Sequence, residues 1–325
     1  DKARLKAFYN QLNAQFSNRV IGNIKGYVDF YNYDYYFNSE IITDTTTIQS
    51  QLQGNEISVG GIYSKRIGRL GIQGEAKTRI SGNLSGNLVR GSLDFALNDK
   101  NRISLSGQMA ERMPDFNFLL YQSDYQNYNW QNDKSFKKQR ENGLQADLSS
   151  NLLGSLSMEY TTLQNYSYFA STATEEQIGA GSENAYVKPF QESGTINYFK
   201  ATYRKEFRWR DFALDNTIMY QHVSQTDNVM NLPQFVTRNT FYYQKELFKK
   251  AMFLQTGVTF KYFSKYFMDS YNPLLGEFFI QDREELGGYP LFDFFIDAKV
   301  RSARIFFKLE HFNSSFTGSN YYSAP

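Results

Sequence analysis

His222 and His311 are the only imidazoles in this 325-residue chain, and there is no cysteine. A metal centre would group such side chains at ligand spacing, and an acyl-transfer site would set one beside an activated serine. Neither histidine has such company. Each stands alone in a stretch of alternating polarity, which suits a wall or interface position better than a ligand. A membrane phospholipase would need a Ser–His pair with an orienting polar group, and none stands out. GGYP at 287–290 reads as a turn before a strand, not as a phosphate-cradling loop. The sequence therefore predicts no metal site, no cofactor and no enzyme. Without cysteine there is also no disulfide framework.

Charged side chains carry what chemistry is left. Lysine and arginine number 35 against 33 aspartates and glutamates, a net charge of +2, and the two signs are interleaved. That balance and spacing argue against nucleic acid as a partner. Glu75, Lys77, Arg79, Arg90, Asp94 and Arg102 fall on the polar sides of successive alternating stretches. Asp293, Asp297, Lys299, Arg304, Lys308 and Glu310 do the same near the C-terminus. As a set these twelve are candidate pore-lining residues: a mixed-charge lumen sets a transverse field and selects solutes by size and charge. Mutual neutralisation on a wetted wall is the plainer reading of any single one.

The element that must position them is clearest between Leu291 and Phe312. Phe292, Phe294, Ile296, Ala298 and Val300 share one side of a strand, and Asp293, Asp297, Lys299 and Arg301 the other, with only Phe295 breaking the polarity. After a tight turn around Ser302, Ile305, Phe307 and Leu309 oppose Arg304, Lys308 and Glu310. The apolar side is long enough for the roughly 9–11 residues that a tilted strand needs to cross hydrocarbon. Val89, Leu93, Phe95, Leu254, Val258, Phe292, Phe294, Ile296, Ile305 and Phe307 are accordingly candidate lipid-facing residues.

The same period of two recurs along the chain. Val20, Ile24, Val28 and Phe30 oppose Asn23, Lys25, Tyr27 and Asp29; Leu144, Ala146 and Leu148 oppose Gln145, Asp147 and Ser149. About thirteen strands result, by the alternation count, with no side assigned in 194–207. Residues 1–18 place Leu5, Phe8, Leu12 and Phe16 at helical spacing and predict either a short periplasmic amphipathic helix or the entry of a strand. Residues 19–325 form the barrel. With 29 Phe and 25 Tyr, negative mean hydropathy and no apolar run near the 18 or so residues of a transmembrane helix, a helical membrane protein is excluded. Connections alternate between short (66–69, 98–101, 153–155, 208–211, 248–251, 301–303) and long (38–54, 114–138, 166–193, 224–233, 264–290). Only the one near Ser81–Gly86 is shorter than its place implies. Outer-membrane barrels have this asymmetry, with the short turns periplasmic.

The fold expected is all-β: a transmembrane antiparallel up-and-down barrel of outer-membrane type, with at least 14 strands when complete, by the alternation count, and both termini periplasmic. The chain opens at Asp1 without a signal-peptide pattern, and a loop-like stretch follows Phe312. It therefore reads as a mature form or a fragment that lacks a closing strand. AERMPDFNFLLYQSDYQNYNW (110–130), GGYPLFDFFIDAKVRSARIFFKLEHFN (287–313) and the final YYSAP resemble the β-barrel porin family of Bacteroidota outer membranes. The resemblance runs the length of the chain and implies passive diffusion of small polar solutes across a Gram-negative outer membrane. It carries no catalytic signature. Expected partners are outer-membrane lipid, lipopolysaccharide and small polar solutes, with other outer-membrane proteins or lipoproteins as further candidates. The rival reading is a non-conducting scaffold barrel within a larger outer-membrane complex for transport, secretion or assembly.

Overall fold

The computed structural model describes residues 2–38, 41–42 and 47–317. Its main body is one antiparallel sheet of 14 strands in strict sequence order. The first six are β1 (Arg4–Asn18), β2 (Gly22–Tyr36), β3 (Gln51–Ile67), β4 (Leu70–Ser81), β5 (Ser85–Asn98) and β6 (Asn101–Arg112). Next come β7 (Gln139–Ser150), β8 (Gly154–Gln164), β9 (Thr195–Trp209) and β10 (Phe212–Ser224). The last are β11 (Phe235–Leu247), β12 (Met252–Phe263), β13 (Leu291–Val300) and β14 (Ala303–Leu309). Each strand pairs with its chain neighbours, the pattern of an up-and-down meander. Among the described residues β1 pairs only with β2, and β14 only with β13.

Two expectations need correction. Residues 1–18 are not a helix but follow the strand alternative: they carry β1, paired with β2 from Arg4↔Tyr36 to Asn18↔Gly22. Phe8, Leu12 and Phe16 are four apart, a spacing that fits both the helical repeat and a multiple of two, so it could not discriminate. The unassigned stretch 194–207 is likewise a full strand, β9. The second correction concerns direction. Because β1 is a strand leading into the short turn at 19–21, Arg4 lies at the end of the sheet that carries the long connections, as does Leu309. The strand that opens the sheet therefore runs from the long-connection end to the short-turn end. The final YYSAP lies outside the described residues.

The two faces of the sheet separate by polarity. One carries Phe8, Leu12, Val28, Val59, Val89, Leu105, Met109, Leu144, Phe241, Ile305 and Phe307, all exposed. They meet in cross-strand pairs such as Leu93↔Leu105, Val258↔Phe294 and Ile296↔Phe307. An apolar surface this extensive belongs against hydrocarbon, since soluble monomers rarely expose more than a few hundred Å² in one patch. The other face is concave, because its side chains meet across an intervening strand. Tyr27 of β2 reaches Glu75 of β4 by lying over Gly60 of β3, where a Cβ would be 2.4 Å from the ring. Among the described residues no helix is long and apolar enough to cross a membrane.

The long connections fold on themselves and on one another. Segment 113–138 holds a helical turn at Phe116–Leu119 and a small ladder pairing Trp130 with Tyr121. Segment 165–194 holds a hairpin of Ser167–Ser171 with Val187–Gln191. Segment 264–290 contributes a ladder of Ser270–Asn272 with Glu277–Phe279.

Candidate functional site

The concave face is a lattice of charge pairs laid across the strands. Asp29 accepts bonds from Tyr9 and Gln11 at 2.8 Å each and pairs with Lys77 at 2.6 Å. Beside it Glu75 accepts from the Tyr27 hydroxyl at 2.6 Å and from the Arg90 guanidinium at 2.5 Å. Lys200 meets Glu159 at 2.6 Å, and the Tyr242 hydroxyl donates to Glu206 at 2.7 Å. At the far edge Asp293, 2% exposed, holds Lys261 at 2.5 Å and Lys308 at 3.5 Å. Arg304 Nε reaches both carboxylate oxygens of Asp297, at 2.8 and 3.0 Å. Strand alternation turns all these groups to one side, and register sets which cation meets which anion.

Eleven of the twelve charged candidates lie on this face by strand alternation, and Glu310 follows the end of β14. Glu75 meets Arg90, Asp293 meets Lys308, Asp297 meets Arg304, and Glu310 meets Lys308. Asp94 instead accepts from the Ser104 hydroxyl at 2.5 Å, and Arg79 donates to the Gly82 carbonyl at 2.7 Å. Arg102 and Lys299 join no ion pair among the described residues. The ten apolar candidates lie on the opposite face. Sequence reasoning left out Tyr27, Asp29, Glu56, Glu159, Lys200, Glu206 and Lys261. Tyr27 and Asp29 had the signal, since both sit on the polar side of their strand. What the alternation could not reveal is contact across two strands, 48 residues apart for Tyr27 and Glu75.

Glu56 explains the one connection that breaks the alternation of lengths. Its carboxylate accepts the backbone N–H groups of Asn83, Leu84 and Ser85 at 2.6, 2.9 and 2.9 Å. A carboxylate with that many donors fixes a tight turn between β4 and β5. Gly82 has φ +100°, and a Cβ there would lie 2.2 Å from the Glu56 carboxyl, so only glycine fits.

Over one end of the sheet the long connections close into a cap. Tyr33, Tyr35 and Phe37 from β2 and just beyond pack with Leu119, Leu120, Tyr121, Tyr128, Trp130, Phe169, Val187 and Phe279. Tyr35 stacks on Phe116, Tyr121 on Trp130, and Phe118 on Phe169 at 4.4 Å. Asn272, 1% exposed, ties three connections together. Its amide donates to Tyr128 Oη at 2.8 Å and to the Asn184 carbonyl at 2.9 Å. Its oxygen accepts from the amides of Leu274 and Leu275 at 3.1 Å each. Arg283 pairs with Glu183, and Asn117 donates to Glu277. Burial pushes the carboxyls of Asp269 and Glu277 in this cap above the ordinary range, against bonds from Asn231 and Asn117 that oppose the shift.

On the wall itself a groove of about 370 Å³ is lined by Gln73, Glu75, Arg90, Ser106, Gln108, Gln145, Glu159 and other small polar groups. Among the described residues no three histidine, cysteine or acidic side chains are grouped to hold a metal ion. The arrangement can wet a channel and present fixed charges of both signs to a passing solute.

A family described as "Putative porin" matches residues 1–325. The chain belongs to that porin family. No curated protein matches it. Among solved structures, this porin-family chain is similar to the siderophore receptor PirA from Acinetobacter baumannii, at 9% identity and TM-score 0.61, covering 95% of this chain and 51% of the receptor. It is similar to the FrpB iron transporter from Neisseria meningitidis at 10% identity and TM-score 0.62, covering 95% and 50%. A ferric enterobactin receptor from Pseudomonas aeruginosa gives 12% identity and TM-score 0.63, covering 95% and 48%. At such identities the likeness is one of fold: an antiparallel outer-membrane barrel wall. The chain spans about half the length of the receptors it matches.

Proposed function

We propose that the chain forms the wall of an outer-membrane pore that passes small polar solutes by passive diffusion. The observation carrying this reading is the division of the wall, with an apolar belt on one face and cross-strand ion pairs on the other. On this reading the long connections face outward and the short turns face the periplasm, the membrane is that of a Gram-negative cell, and the barrel carries no catalytic step. Its source in Bacteroidota is what the sequence resemblance implies. Single-channel recording on the full-length protein in planar bilayers tests it. Stable, weakly selective steps are expected, and silence across the voltage range would overturn it.

The cap favours a second reading. Three interlocked connections packed around an aromatic centre would obstruct free passage, as in a barrel that is gated or serves as a scaffold in a larger complex. Silence in the intact protein together with conductance after removal of 114–137 would select the gated form. Silence in both would select the scaffold.

A further inference from the structure

Where the Glu56-held turn replaces a long connection, the rim between β4 and β5 is low, and segment 133–138 lies against it. Between them is a cavity of about 790 Å³, within the range of small-ligand sites. Both faces of the wall reach it: Tyr33 and Arg79 from the concave side, Glu111 and Arg140 from the lipid side. Four cations line it, namely Arg79, Lys137, Lys138 and Arg140, against the carboxylates of Glu111 and Asp133.

This imbalance differs from the paired part of the lattice below. There Lys77, Arg90, Lys200, Lys261 and Arg304 each have a carboxylate. Here Arg140 approaches Glu111 at 3.4 Å, while among the described residues Arg79, Lys137 and Lys138 form no ion pair. Arg79 and Lys138 donate only to the carbonyls of Gly82 and Ser85. Glu56 is occupied by the turn amides, and Asp133 already accepts from Gln131 at 3.0 Å. Burial, with the charge of Arg79 second, holds the Lys138 ammonium below its usual pKa, although the nearby carboxylates of Glu111 and Glu56 oppose the shift.

The backbone bearing the lysines is fixed beforehand. The Lys137 amide donates to Gln191 Oε1 at 2.8 Å, Gln191 Nε2 donates to the Lys137 carbonyl at 2.8 Å, and Asn165 holds the Lys138 carbonyl at 2.9 Å. A ligand would therefore spend little ordering entropy there. We propose that this rim cavity is a binding site for a phosphate-type oxyanion. Arginine supplies planar paired donors and lysine a point charge, the usual combination for phosphate. The phosphate could be free or on a solute arriving from outside, or on the headgroup of an outer-leaflet glycolipid, since Glu111 and Arg140 of the lipid-side face line the cavity. The inference does not depend on the barrel conducting.

The test is equilibrium dialysis of the full-length protein in detergent micelles against radiolabelled inorganic phosphate, at constant ionic strength. Saturable binding is expected, weakened about tenfold or more for each cation removed. Arg79→Gln with Lys138→Gln should lose it. Arg79→Lys with Lys138→Arg should keep it, as should Lys250→Gln in the turn at the opposite end. Circular dichroism confirms that each variant is folded. The dialysis is repeated in phosphatidylcholine vesicles with and without monophosphoryl lipid A. Phosphate binding that persists beside lipid A assigns a soluble ligand, and displacement by it assigns the headgroup. Absence of saturable binding in the folded protein, or equal binding in the Gln double variant, would overturn the site.

Discussion

Leu93 and Asp94 are neighbours in sequence and stand on opposite sides of the wall. Leu93 is 45% exposed on the apolar face, while Asp94 accepts from Ser104 on the polar one. Leu93→Arg should cost about 2–4 kcal/mol if the site lies near the bilayer midplane, and Asp94→Arg should be tolerated and shift ion selectivity. Urea unfolding in lipid vesicles measures the first and reversal potentials the second; equal tolerance would refute the facing. Gly60→Val is the sharper single change, because Tyr27 lies where the new side chain would go. It should part Tyr27 from Glu75 and destabilise by about 1–3 kcal/mol through the polar groups left without partners. Which side of a strand a residue takes was legible from alternation alone, as Glu75, Arg90, Asp293 and Asp297 demonstrate. Which residues touch was not: Asp29 and Lys77 are partners only because Gly60 and its neighbours let side chains pass over β3.

Strands of this kind are easy to recognise when their apolar residues are two apart, as in β13, and ambiguous when they are four apart, as in β1. The connections are harder still. Their lengths alternate as the sequence implied, yet nothing in 113–138 or 264–290 announced that they would pack together, since aromatic rings spaced irregularly have no period to read. Two predictions belong at this scale. The turn between β11 and β12 places Phe248, Lys249 and Lys250 in succession at positive φ, a conformation unfavourable by about 1–2 kcal/mol per non-glycine residue. Lys249→Gly should therefore stabilise the protein by up to about 1 kcal/mol in thermal or denaturant unfolding. In the cap, Asn272→Leu should leave the Leu274 and Leu275 amides without their acceptor, at about 1–3 kcal/mol, while the Asn184 carbonyl keeps the Tyr128 hydroxyl as a donor. Limited proteolysis should then cut the long connections faster while sparing the strands.

For the molecule as a whole, the cap and the wall should respond differently to acid. Asp269 and Glu277 are pushed above the ordinary carboxyl range by burial, so the ordered cap holds protons that released connections would give up. Stability from this source is complete below the ordinary carboxyl pKa and is lost as pH rises through the raised values. Protection of 264–290 from protease should therefore improve from neutral pH into the mildly acidic range. Asp269→Asn with Glu277→Gln should flatten that dependence and retain protection at neutral pH. If the cap gates the pore, conductance should fall over the same interval.

One amide at Asn272 fastens three stretches of chain that lie far apart in the sequence. None of the three can change length or course without disturbing the other two. Substitutions that reshape one of them must then be matched in the others. Independent variation is left to places such as Tyr125, 62% exposed, which stands clear of the knot.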